Sequence, residues 1–360
     1  MMKRIAFIIG CLWLGTITLA AQKFLYDVDF VAFFDNREYQ QPLQTPQTIF
    51  GTRLSPELGV GFQDNLGGKH RLIAGVHYIQ PIGSNWREAS FIPTVFYNYD
   101  YKGFRFFMGA IPYKHRIETL PDYLMYDSIA YFHPNIQGAL LQYASDHGFV
   151  ELMCDWRGRQ TPERREMFRL VLNGRYHYKG LFTYFVGGNA QMNHKANYAA
   201  PTEREGVCDD ILLSPYVGTD FSQPTPFDSL ALRVSYIAGM QRYRMAQQQA
   251  ITQGVYVETF LRWRFLGARN TFYYGKDMMP YYNVFGADLN QGDPFFQARW
   301  YNRTDLFAYI VRRSFVNVYF SWNFHKVPGA KLQHQQQLIA TFSLGGIKKK
   351  DTKLRGVFDK

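Results

Sequence analysis

Beyond its N-terminus, this 360-residue chain has no apolar run near the ~18 residues a membrane helix needs, although 47% of its residues are hydrophobic. A helical membrane protein is therefore excluded. Cysteine is scarce: Cys11, Cys154 and Cys208 are the only three, too few and too scattered for a disulfide framework or a metal site. There is no G-x-S-x-G, H-E-x-x-H or phosphate-binding glycine loop. No Pro/Gly/Ser linker divides the chain, so one continuous domain is expected. A nucleic-acid footprint is missing as well. The formal charge is +11, but Lys3 and Arg4 hold two of these charges and the tail from Lys348 to Lys360 a net four, leaving +5 spread over the body.

Aromatic residues are abundant, with 31 Phe and 26 Tyr, and they fall into an alternating pattern. The clearest case is Phe168 to Asn193. On its first arm Phe168, Leu170, Leu172, Tyr176 and Tyr178 alternate with Arg169, Asn173, Arg175 and His177. On the second, Phe182, Tyr184, Val186, Ala190 and Met192 alternate with Thr183, Asn189, Gln191 and Asn193. Period-two alternation puts one set on each face of a strand. Each arm is long enough to cross a membrane as a tilted strand, which needs about 9–11 residues. An apolar, aromatic-edged face opposite a polar face is the pattern of an outer-membrane barrel.

Similar segments recur to the end of the chain, and tight connections alternate with long polar ones. The count is about 16 strands, so the expected fold is all-β, an antiparallel up-and-down transmembrane barrel. Residues 1–21 read as a signal peptide, with Lys3-Arg4, an apolar stretch from Ile5 to Leu19, and Ala20-Ala21 at the cleavage point. Residues 22–345 form the expected barrel and 346–360 a basic periplasmic tail. With both termini in the periplasm, the tight turns lie there and the long loops outside. Cys154 falls on an apolar strand face, and Cys208 is expected in a polar loop.

Read by alternation, the barrel interior carries charges of both signs. Arg169, Arg175, Arg262, Arg264, Arg299 and Arg303, with Glu258 and Asp305, are the candidates for a lumen that orders permeating solutes. The connection from Pro112 to Asn135 is the longest. Its Tyr113, Tyr123, Tyr126, Tyr131 and Phe132 bury area readily and mark it as a candidate constriction across the barrel mouth. His77, His177 and His325 point inward and could act as bases, but partners on neighbouring strands cannot be matched without the register. Glu203, Glu205, Asp209 and Asp210 lack calcium-loop spacing and read as a solvated acidic loop.

The signal peptide, amphipathic strands and aromatic edges together resemble bacterial outer-membrane porins across nearly all of the mature chain. The segments PDYLMYDSIAYFHPNIQGALLQYASDHGFVELMCDWRGRQTPERREMF and MGAIP are similar to those of uncharacterised Bacteroidota-type outer-membrane proteins. The resemblance implies fold and location in the outer membrane, not a substrate. Many porins finish on an aromatic residue, whereas here Phe342 and Leu344 precede the basic tail.

The leading expectation is a porin-like channel for passive or substrate-biased diffusion of small hydrophilic solutes. The alternative is a non-conducting accessory barrel that docks a surface lipoprotein or a secretion or assembly machine. A barrel enzyme acting on lipids or envelope polymers ranks third, and no enzymatic activity, cofactor or metal is expected. Outer-membrane lipid and lipopolysaccharide are the expected partners, with a barrel oligomer or surface lipoprotein as further ones, and nucleic acid is not.

Overall fold

The computed structural model describes residues 23–40, 42–199, 206–347 and 358. The leader, Glu203 and Glu205, and all of the tail from Lys348 except Phe358 lie outside the described residues. Sixteen antiparallel strands close into one barrel, each paired with its sequence neighbours and β1 with β16. The first eight are β1 (Lys23–Glu38), β2 (Gln47–Gln63), β3 (Lys69–Pro81), β4 (Ser90–Tyr101), β5 (Phe104–Pro112), β6 (Asn135–Ser145), β7 (Gly148–Gly158) and β8 (Met167–Lys179). The rest are β9 (Thr183–Lys195), β10 (Cys208–Asp220), β11 (Ser229–Tyr243), β12 (Gln248–Trp263), β13 (Leu266–Gly275), β14 (Trp300–Arg312), β15 (Val316–Lys326) and β16 (Gln333–Gly345).

The alternation read from the sequence sets which side chains face out. Along β9, Tyr184 and Val186 are exposed, while Phe185, Asn189, Gln191 and Asn193 are buried. Exposed aliphatic and aromatic side chains continue around the wall, from Leu54 and Leu72 to Leu306 and Trp322. The ends of the barrel differ. Tight turns close β4–β5, β6–β7, β8–β9 and β12–β13 at the end where β1 begins and β16 stops. The opposite end carries the long connections, 113–134 and 276–299 above all.

The wall is irregular at one place. Gly109 (φ 130°) on β5 faces Gly138 (φ 156°) on β6. A side chain is strained at these backbone angles, and a Cβ on Gly109 would lie 2.2 Å from the Val95 carbonyl oxygen. Beyond this point the β4–β5 ladder stops at Val95–Ala110, leaving Ser90 to Thr94 of β4 without a β5 partner. β5 and β6 stay paired to Pro112–Asn135, and Ile111, Pro112, Asn135 and Ile136 are all buried. Burial of adjacent residues on one strand means that both of its faces are covered. The top of the β5–β6 pair turns inward, and the end of the β4–β5 ladder leaves a seam in the loop-end half of the wall that Asn135 bridges to the Pro93 carbonyl.

Two sequence expectations are corrected. Arg299 was read by strand alternation, but residues 294–297 form a short 3-10 turn and β14 begins only at Trp300. Phe295 and Phe296 are both fully buried, one against Tyr39 and Tyr301, the other against Tyr123 and Tyr256. Cys208 is not in a polar loop. It starts β10, buried in a cluster with Phe285 and Leu289.

Candidate functional site

The connection 113–134 folds into the lumen and crosses it. Lys114 Nζ donates to Asp27 (2.8 Å), Asp29 (2.6 Å) and Glu57 (2.5 Å) on β1 and β2. Burial alone lowers the Lys114 pKa, but Glu57, then Asp29 and Asp27, override it and hold the group above the ordinary lysine range. Arg116 Nε pairs with Glu151 of β7 at 2.7 Å. Tyr123 shares a 2.8 Å hydrogen bond with Ser214 of β10, and Arg37 of β1 lies over the Tyr126 ring. A short helix, α1 (Asp127–Phe132), ends the crossing, with Tyr131 stacked on Phe33 and its hydroxyl accepting from Gln337 Nε2 at 3.1 Å.

The second inner loop, 276–299, meets the first in the middle. Tyr126 N donates to Gln291 O at 2.7 Å and Asp293 N to Asp122 O at 2.9 Å. The lumen is thus spanned by two loops joined through their backbones.

The arginines expected in the lumen divide into two groups. Arg169 is fully buried, donating to Gln191, Gln291 and the Leu124 carbonyl. Arg303 binds Asp305 (2.7 Å) and Asp122 (3.1 Å). Arg175 pairs with Glu118 at 3.0 Å, and Glu258 pairs with both Arg233 and Arg269. Arg262 also faces inward, 3.4 Å from Asp228. Arg264 and Arg299 do not belong to this set. Arg264 is exposed in the β12–β13 turn (φ 55°), and Arg299 is exposed in the loop before β14. Alternation fails at both because neither residue is in a strand. Tyr113, Tyr123, Tyr126 and Tyr131 lie inside the barrel, whereas Phe132 is 36% exposed. Asp209 and Asp210 are not a solvated pair. Asp209 holds His194 and Arg244, and Asp210 accepts from Gln191, Asn193 and Gln241.

One arrangement was not found in the sequence. Ser55 of β2 and His77 of β3 face each other across the ladder, with Ser55 Oγ 2.7 Å from His77 Nδ1. His77 Nε2 is 2.8 Å from Asn135 Oδ1. Asn135 Nδ2 donates to the Pro93 carbonyl at 3.1 Å. A carbonyl only accepts, so this contact fixes which end of the amide faces His77. Oδ1 must then accept from Nε2–H, which leaves Nδ1 unprotonated and ready to accept from the Ser55 hydroxyl. This is the order of a nucleophile, base and orienting amide. All three side chains are nearly buried, at 3%, 4% and 7% exposure. Arg53, two residues from Ser55 on the same face of β2, has its Nε–H buried without an acceptor. Pro93 and Thr94, which Asn135 contacts, lie on the stretch of β4 that pairs with β3 but not with β5. The set sits beside this seam, which the Asn135 side chain bridges.

The family model described as Lipid A 3'-O-deacylase-type matches residues 18–351. The chain belongs to that family. The match overturns the expectation that the protein is no enzyme, because the family is named for an ester-cleaving activity. No curated protein matches. Among solved structures, OccK2 (OpdF) of Pseudomonas aeruginosa is similar, with a TM-score of 0.53 at 8% identity over 91% of this chain and 99% of that one. A BenF-like porin from Pseudomonas fluorescens gives 0.53 at 8%, covering 90% and 99%. OpdK of P. aeruginosa, solved with vanillate, gives 0.53 at 9%, covering 90% and 99%. At these identities the likeness is one of fold. This family member is an outer-membrane protein with a porin-type barrel.

Proposed function

We propose that the protein is an acyl-ester hydrolase of the outer membrane, acting on a glycolipid of the lipid A class. The observation that carries this reading is the Ser55–His77–Asn135 relay beside the seam between β4 and the β5–β6 hairpin. An ester at the depth of the lipid headgroups would approach sideways through the seam. The family description supplies the substrate class.

In this reading Ser55 Oγ attacks the ester carbonyl as His77 Nδ1 takes its proton. The C–O bond to the sugar breaks, and His77 returns the proton to the departing alkoxide. Water, deprotonated in turn by His77, cleaves the acyl-serine and releases a fatty acid. Asn135 holds the imidazole tautomer, and the Arg53 Nε–H is the donor available to the developing oxyanion. Labelling tests the nucleophile. An alkyl p-nitrophenyl phosphonate should modify the Ser55 peptide of the refolded protein, releasing p-nitrophenol, and should leave His77→Gln unmodified. Equal labelling of both, or none in the wild type, would refute the role of Ser55.

A second reading is favoured by the inward arginines Arg169, Arg175 and Arg303 within a porin-type barrel. It is passage of small hydrophilic solutes, and it requires the two inner loops to part. Planar-bilayer recording decides it: steps of conductance support passage, and a silent bilayer removes it.

A further inference from the structure

The chain leaves the barrel wall at Gly345, and the first apolar side chain beyond it turns inward. Ile347 is buried in the core cluster against which Leu25 of β1 packs. Phe358, near the end of the chain, is also inside the barrel. It is 7% exposed, in a cluster with Phe185 of β9, Tyr216 of β10 and Ala231 of β11, with Phe260 of β12 packed alongside. We propose that this cluster is a docking site for the chain's own C-terminus, which Phe358 anchors inside the tight-turn end of the lumen.

Three features support this occupant. The first is the wall. Inward positions of a membrane barrel are ordinarily polar, yet Phe185, Ala231 and Phe260 face in together at this end. An apolar cover suits them, and a wet lumen does not. The second is the geometry of the contact. The Phe358 ring meets Phe185 edge-on at 6.3 Å and Phe260 at 6.4 Å, both favoured aromatic arrangements. The Arg233 guanidinium, held by Glu258, lies 4.7 Å from the centre of the same ring. Beside the ring, between Arg175, Arg269 and Glu118 of the inner loop, there is room for about one water. The third is reach. β9 to β12 lie four to seven strands round the ring from β16. Gly345 and Phe358 are 13 positions apart, a span of at most about 45 Å. A ring of 16 tilted strands ~4.8 Å apart is roughly 30 Å across.

Thiol accessibility tests the docking. In a Cys154→Ala, Cys208→Ala background, Ala231→Cys places one thiol in the cluster that Phe358 covers. In the refolded full-length protein in detergent, this thiol should react slowly with N-ethylmaleimide. Phe358→Asp, or removal of residues 348–360, should speed the reaction at least tenfold while the barrel keeps its compact gel mobility. Phe358→Leu, which still fills the pocket with apolar volume, should leave the reaction slow. Equal rates in the full-length protein and a folded variant lacking residues 348–360 overturn the proposal. Should neither fast variant refold, Ala231→Cys combined with Phe358→Cys decides. A short bismaleimide should join the two thiols within one chain, and absence of the joined species overturns the proposal.

Discussion

A Cβ placed on Gly292 would lie 2.1 Å from the main-chain oxygen of Tyr123. The two inner loops therefore touch backbone to backbone, between the paired contacts Tyr126–Gln291 and Asp122–Asp293. No side chain fits at this point without pushing the loops apart. Gly292→Ala should cost about 1–3 kcal/mol through overpacking and lower the temperature at which the barrel loses its compact gel mobility. Gly346→Ala, where nothing lies within 4 Å of the added Cβ, should leave it unchanged. Equal melting of the two variants would show that the loops are not clasped in this way.

Asp293 makes the clasp sensitive to pH. Burial is the main cause that pushes its carboxyl up to about 6 from 3.8. An acid whose pKa is raised by folding favours the folded state while protonated. Its contribution is complete below about pH 4 and is lost as pH rises through about 6. Wild type should thus lose stability relative to Asp293→Asn between pH 4 and 7, by at most about 3 kcal/mol. Melting curves of both proteins across that range give the difference, and a gap that stays constant or widens the other way contradicts the assignment.

Orientation can be read with thiol labels. Cys208 is buried and is no reporter, so the probes belong in a Cys154→Ala, Cys208→Ala background. Glu163, exposed in the connection between β7 and β8, and Lys179, exposed beside the β8–β9 turn, lie at opposite ends of the barrel. A membrane-impermeant maleimide should label Glu163→Cys on intact cells and Lys179→Cys only after permeabilisation. The reverse pattern would invert the barrel.

Much of the fold was legible because a strand's two faces differ by one residue. The alternation around Val186 and the short turn after Lys179 were enough to place β8 and β9. It failed where consecutive apolar residues are buried on both sides, as at Phe295 and Phe296, which read as strand but belong to a loop inside the barrel. Alternation also says nothing of crowding: a Cβ on Gly187 would come within 2.3 Å of the Gly174 carbonyl and 2.5 Å of the Tyr216 hydroxyl. The candidate site was half visible. His77 could be seen to face inward, but its partners come from β2 and β6, 22 residues before it and 58 after. Only the register between strands brings them together. Pro56 adds to this, since a proline in a strand removes a ladder donor and hides the pairing that sets Ser55 opposite His77.

The central claim is ester hydrolysis at Ser55, and mass spectrometry of a lipid A substrate tests it most directly. Purified wild-type protein incubated with hexa-acylated lipid A in mixed micelles should give a glycolipid lighter by one ester-linked chain, with an equal amount of free fatty acid. Ser55→Ala should reduce the rate by roughly 10³-fold or more, to the residue left by binding and oxyanion contacts alone. Intact lipid A after incubation with the wild type, or the same loss of a chain with Ser55→Ala, would contradict the account.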